Sequence, residues 1–310
     1  MSAHPLAVRL SRLLLPRLRP RIEPRPVPGW VLGSGEQGGG WQGWLRRRLL
    51  RSFKRPVDVT WIDGLRLTAY PYNEVTRSIL MTGLYDPTEL SWLRRTLTPG
   101  MTFIDGGANL GLYSLIASRC VGDDGRVLAF EPSGREYDRA CHHVALNQLE
   151  NVTVLRAALA DRPGRIGIKI ADEKHAGHNT LGGFVYHATQ LDRVEQVEAT
   201  TLDDAVREHN LTRVDVVKLD LEGSEHAALQ GAAQTLERYR PVLLMEFSDP
   251  SLRAQGSSAE ALRACVESFG YRLGRIENDD ADFEPLPDTS SLEASVNVVA
   301  MPREAARRAA

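Results

Sequence analysis

The stretch MTFIDGGANLGLYSLIASRC, residues 101–120, decides the fold. MTFID is a short apolar run of the kind that fills a strand buried on both faces. A loop of small residues follows, and GLYSLIASRC (111–120) then reads as a helix. Strand, small-residue loop, helix is the local plan of a nucleotide-binding turn. Working outward, the alternation continues. RVLAFE (126–131), VTVLRAALA (152–160), VDVVKLD (214–220) and PVLLMEF (241–247) predict strands. REYDRACHHVALNQL (135–149), TLDDAVREHN (201–210), SEHAALQGAAQTLERY (224–239) and SAEALRACVESFG (258–270) predict helices between and after them. YRLGRI (271–276) and VNVVAM (296–301) close the chain without a helix between them, most simply as a hairpin with one antiparallel edge strand. The pattern specifies an α/β, Rossmann-like, doubly wound and mostly parallel sheet with an antiparallel C-terminal edge hairpin.

Before this domain (100–302) lies a lead-in, residues 57–99. VDVTWIDGLRLTAYP (57–71) alternates about Asp63-Gly64 and predicts a hairpin, and PTELSWLRRTL (87–97) a helix with Thr88 as N-cap. Between the third and fourth main strands, IGIKI (166–170) and VEQVEAT (194–200) predict a second hairpin around a polar loop bearing His175 and His178. Long loops beside a sheet's carboxyl edge commonly form part of a substrate site.

Of the 310 residues, 42% are hydrophobic and 25% charged, enough to bury a core and to exclude wholesale disorder. No apolar run is long enough to span a membrane. Three cysteines without metal-ligand spacing argue against a disulfide framework or structural zinc, and make a reducing cytoplasm the expected compartment. Charge divides the chain. Residues 1–56 form a Pro/Gly/Arg-rich leader with twelve Lys/Arg against two Glu, and the remainder holds 26 bases against 38 acids. An acidic body disfavours nucleic acid as a partner. WLRRRLLRSFKR (44–55) admits two readings: a basic amphipathic helix touching an anionic membrane surface, or a solvated arm, which charge runs favour. Residues 1–56 are expected to be dispensable for folding and ligand binding, a point checked by truncation. Residues 303–310 are read as a tail.

In such sheets ligands bind beyond the carboxyl ends of the strands. Each edge here offers an acid: Asp105, Glu131, Asp161, Asp220 with Glu222, and Glu246. The loop is D-x-G-x-N-x-G rather than G-x-G-x-x-G, and Asp105 and Asp220 would repel a pyrophosphate. They would attract S-adenosylmethionine, which carries an ammonium and a sulfonium. Glu131 stands where a carboxylate accepts from ribose hydroxyls. The alternatives are an NAD-dependent oxidoreductase, opposed by the loop spacing and by the lack of any Tyr-x-x-x-Lys, and a catalytically silent membrane-associated adaptor with this fold.

FIDGGANLGLYS (103–114), AFEP (129–132), ALNQLENV (145–152), VKLDLEGSE (217–225) and NVVAMP (297–302) together resemble the FkbM-type S-adenosylmethionine-dependent methyltransferases, over about residues 84–302. The resemblance implies a seven-stranded class I sheet and methyl transfer to a hydroxyl of a sugar or natural-product-like small molecule. It also implies that Asp105, Gly107, Asn109 and Gly111 hold the methionine portion, that Glu131 holds the ribose, and that Ala158 and Leu159 border the adenine. Gly106, Ala108, Pro132 and Asp220 complete that cofactor set. An alcohol needs a base to take its proton. The candidates are Asp220, Glu222, His226 and Glu246, with His175 and His178 from the insertion. Glu222 and His226 share a face if both are helical. His142, His143 and His209 read as surface residues. Asp220, Glu222 and Glu246 could instead hold a divalent metal; metal-free base catalysis is favoured.

Overall fold

The computed structural model describes residues 55–303 apart from Pro71, His187, 277–282 and 287–294. The leader's 44–54 stretch and the 304–310 tail lie outside the described residues. The lead-in forms β1 (Val57–Thr60) and β2 (Arg66–Ala69), an antiparallel hairpin that turns where Asp63 and Gly64 take positive φ. Two helices follow, α1 (Glu74–Thr82) and α2 (Pro87–Thr96). The first was not foreseen; Asn73 caps it by accepting from the Thr76 N–H. The second begins two residues earlier than Thr88 as N-cap implies, with Asp86 at the N-cap and Pro87 at the first helical position.

The main domain runs β3 (Thr102–Gly106), α3 (Leu112–Val121), β4 (Arg126–Phe130), α4 (Gly134–Leu146) and β5 (Val152–Leu155). It continues with β6 (Ala157–Leu159), β7 (Gly164–Ala171), β8 (Leu191–Thr200) and α5 (Leu202–Glu208). The second half holds β9 (Val216–Leu219), α6 (Glu225–Gln230), α7 (Ala233–Tyr239), β10 (Val242–Phe247), α8 (Asp249–Ala254) and α9 (Ala259–Ser268). The chain closes with β11 (Tyr271–Ile276), β12 (Phe283–Pro285) and β13 (Val296–Pro302).

The sheet order is β12-β11-β13-β10-β9-β3-β4-β5. From β10 to β5 every pairing is parallel, while β13 is antiparallel to both β10 and β11. The closing hairpin therefore stands at the expected edge, with β13 on its inner side and the short β12 outside it, antiparallel to β11. Strand order reverses between β3 and β9, and there the ligand crevice of an open α/β sheet opens. Two further expectations are corrected. Residues 152–160 are not one strand: β5 stays in the main sheet and β6 leaves it to pair with β8 in a three-stranded sheet, β6-β8-β7. Residues 224–239 form two helices, α6 and α7, broken at Gly231.

Alternate residues of the main strands serve two cores. Ile104, Leu128, Val217 and Leu243 face α5, α7 and α9, whereas Phe103, Val127, Val216 and Leu244 face α3. Nearly every residue of α3 is buried, so this helix needs cover on its outer side as well. Val75, Ile79, Leu80, Leu90, Trp92 and Leu93 of the lead-in supply it and share one core with α3. His143 ties the two together. Its Nε2 accepts from the Thr68 N–H at 3.0 Å, and its Nδ1 donates to the Leu110 carbonyl at 2.8 Å. His143 is thus fully buried rather than on the surface, and burial lowers its pKa to about 4, which keeps it neutral.

Candidate active site

Five pieces at the ends of the sheet strands form one part of the cavity at the reversal point. The loop after β3 contributes Gly107, Ala108 and Asn109, and the end of β4 contributes Phe130, Glu131 and Pro132. Strand β6 adds Ala158 and Leu159, the β9 exit adds Lys218, Asp220 and Glu222, and β10 adds Glu246. Gly107 is required by its surroundings: its φ is +74°, and a Cβ there would lie 1.9 Å from the Asp220 carbonyl oxygen. Close approach of the loop to the β9 exit leaves backbone exposed to a ligand. Glu131 spans the floor. Its Oε2 accepts from the Asn109 N–H at 2.8 Å and its Oε1 from the Ser133 N–H at 2.9 Å. Burial, reinforced by Glu136, raises its pKa to about 8 against those two bonds.

Three members of the expected cofactor set lie behind the wall instead of on it. Asp105 is fully buried, accepts from Ser114 Oγ at 2.6 Å and sits 3.6 Å from Lys218 Nζ. Gly106 is packed so closely that a Cβ would meet Leu219, Leu159 and the Lys218 carbonyl. Gly111 takes positive φ at the N-cap of α3, against Ala140. Their contribution is to shape the loop.

On the acceptor side, Asp220, Glu222 and Glu246 converge, each with an oxygen within 4.8 Å of the others, close enough to hold a divalent cation. Burial and the Asp220 charge raise Glu246 to about 7. Burial, with Glu246 and Asp220, holds Glu222 well above the usual carboxylate range. Glu246 touches Ser295 through Oε1, while its Oε2 is buried without a hydrogen-bond partner among the described residues.

His226 does not belong here. It lies on α6, where its Nδ1 meets Ser257 Oγ at 2.7 Å, away from the cavity. Glu222 has a φ of +52° and precedes the helix, so the two share no helical face. Asp161 is likewise off the site, beside Arg162 on the surface. His175 is held by Asp172 behind the wall, but His178 reaches the cavity. Its ring stacks on Tyr186 with centroids 4.4 Å apart, and its Nε2 lies 3.5 Å from Glu74 Oε1. Burial lowers its pKa, leaving it neutral.

The lead-in supplies what sequence reasoning missed: Glu74, Val75, Tyr85 and Asp86, with Asn297 from β13, also line the cavity. Asp86 accepts from the Tyr113 hydroxyl at 3.1 Å, and burial with Glu89 raises it to about 6. Lys218 was visible within VKLD but was read only as part of a strand.

These residues fit S-adenosylmethionine. A carboxylate anchored from behind faces the crevice, Ala158 and Leu159 offer an apolar slot, and Asn109 Oδ1 is buried without a hydrogen-bond partner among the described residues. Fold and site together define a class I, Rossmann-like methyltransferase. The comparisons agree. The Methyltransferase FkbM domain model matches residues 105–273. Methyltransferase sdnD of Sordaria araneosa is 25% identical over 250 residues, covering 72% of this chain and 92% of the relative. The 2-O-methyltransferase NoeI of Sinorhizobium fredii is 26% identical over 154 residues, covering 46% of this chain and 62% of the relative. Among solved structures, an FkbM methyltransferase of Methylobacillus flagellatus is 15% identical with a TM-score of 0.41, covering 74% of this chain and about half (52%) of its own.

The chain belongs to the FkbM methyltransferase family and is an S-adenosylmethionine-dependent methyltransferase. Membership excludes the oxidoreductase alternative. No helix among the described residues is long and apolar enough to cross a membrane.

Two measurements follow from Glu131 and its neighbours. Glu131→Ala removes the anchored carboxylate, and binding of S-adenosylhomocysteine should weaken by about 1–3 kcal/mol by calorimetry. Without ligand, Glu131, Glu225 and Glu246, at about 8, 8 and 7, hold protons more tightly folded than unfolded. Their stabilising effect is full below the ordinary carboxylate range and is lost as pH rises through 7 to 8. The melting temperature should therefore fall over that interval, and Glu225→Gln, away from the cavity wall, should flatten the fall.

Proposed function

We propose that the chain methylates a hydroxyl oxygen of a small polyhydroxylated acceptor, a sugar or natural-product scaffold, with Glu246 as the general base. The observation that carries this reading is the Glu246 Oε2 on the cavity wall, buried without a hydrogen-bond partner among the described residues, on a carboxyl whose pKa of about 7 suits a base at neutral pH. Bound S-adenosylmethionine supplies a methyl carbon on a cationic sulfur. The chain's task is then alignment and proton removal. Glu246 takes the hydroxyl proton as the oxygen attacks; the new C–O bond replaces the C–S bond, whose electron pair stays on sulfur. Asp220 and Glu222 keep a negative field around that proton. The name of the 2-O-methyltransferase relative is consistent with an oxygen acceptor.

Incubating the protein with methyl-labelled S-adenosylmethionine and a cell-extract metabolite fraction tests the reading, with the labelled product's carbon shift as readout. A methyl ether is the expected product. A methyl on nitrogen or carbon overturns it. Loss of turnover on chelation, restored by magnesium, would transfer acidification of the hydroxyl to a cation between the same three carboxylates, whose oxygens lie within 4.8 Å of one another.

A further inference from the structure

Strand β9 runs through the middle of the sheet with all four residues buried; three are apolar and the fourth is Lys218, 5% exposed. An ammonium there costs several kcal/mol to desolvate unless it is well paired, and an apolar residue fills such a place more cheaply. Lys218 has four partners. Its Nζ lies 3.6 Å from Oδ1 of Asp105, its cross-strand neighbour, and 3.3 Å from Asp220 Oδ2. It donates to the Gly107 carbonyl at 3.3 Å and stands 4.8 Å from the centre of the Tyr113 ring. Balancing Asp105 alone would require none of the other three. Lys218 is also the only Lys or Arg on the cavity wall among the described residues, a wall that carries the acids Glu74, Asp86, Glu131, Asp220, Glu222 and Glu246.

We propose that Lys218 is a positioning residue of the methyl-donor site. It fixes the Gly107 carbonyl and the Asp220 carboxylate relative to each other, and its charge sets how the site distinguishes the sulfonium donor from its neutral thioether product. A fixed cation on this wall opposes the donor's positive charge and favours its loss. Transfer removes that charge from sulfur, so the cation acts in the direction of reaction. The inference holds whichever acceptor atom receives the methyl.

The test is calorimetric titration of the full chain with S-adenosylmethionine and with S-adenosylhomocysteine. In Lys218→Met, affinity for the homocysteine form should fall, because the loop loses its anchor, and affinity for the sulfonium form should fall less. The ratio of the two affinities should move toward the sulfonium form by about tenfold, the scale of two charges interacting across a partly buried site. Lys218→Met combined with Asp105→Asn removes both members of the cross-strand pair, leaving no lone buried charge between them. The shifted ratio should persist there. A wild-type ratio in either folded variant overturns the proposal, since Lys218 would then only balance Asp105. Failure of both to fold also overturns it, by making Lys218 a requirement of the core.

Discussion

Replacing Gly107 with alanine is expected to abolish binding of S-adenosylmethionine and to destabilise the protein by about 2–4 kcal/mol, combining backbone strain with overpacking. Two independent causes add at this residue. Its φ of +74° is unfavourable for any side chain, and the new methyl would lie 1.9 Å from the Asp220 carbonyl oxygen. The obstacle is backbone of the central strand's exit, so it cannot swing aside as a side-chain tip would. Relief must come from the loop lifting toward the cavity, which moves the Asn109 N–H off Glu131 and fills the space where a ligand would approach. Urea denaturation and titration with S-adenosylhomocysteine measure the two effects separately. Alanine at Gly64, which also has positive φ but open space around it, controls for strain alone.

Glu246→Gln should lower turnover by about 10²–10⁴, the range that general base catalysis contributes. Cofactor affinity should stay within about threefold, because Glu246 sits on the β10 side of the cavity while Glu131 lies across it on β4. Stability should hold or rise. A neutral amide keeps the shape and the Ser295 contact but ends the crowding of Glu246 with Asp220 and Glu222. In the unsubstituted protein, turnover should climb with pH and level off above about 7, as Glu246 loses its proton. Turnover near wild type in the variant would move the base to Glu222, Asp86 or His178, which line the same cavity.

The fold was legible because its strands are continuous apolar runs bounded by glycine, proline or acid, a signal that needs no partner to be read. That Asn109, Glu131 and Asp220 would line one cavity was legible for a related reason: they sit at strand ends, and strand ends in this architecture converge on one crevice. Residues whose place depends on tertiary packing were not. His143 looks like any polar helix residue until the lead-in hairpin is laid against it. His226 has the right spacing from Glu222, but the spacing means nothing once Glu222 takes a left-handed conformation ahead of the helix. Glu74, Tyr85 and Asp86 lie more than a dozen residues before the first motif, and only the burial demanded by α3 brings them to the cavity. Residues 152–160 defeated the reading because a strand that changes sheets midway keeps the same apolar pattern throughout.

The place of β13 has a consequence for how the molecule is made. Residues 296–302 fill the slot between β10 and β11, pairing Leu243 with Ala300 on one side and Leu273 with Ala300 on the other. During synthesis both flanking strands leave the ribosome first and wait with unpaired backbone groups facing each other. Such open edges invite pairing with other chains. A chain stopped before Val296 would keep every residue of the cavity wall from Glu74 to Glu246 and still lack Asn297 and the strand that joins β11 to the rest of the sheet. A folding reporter fused after Phe247, after Ile276 and after Pro302 should therefore register a closed domain only in the last.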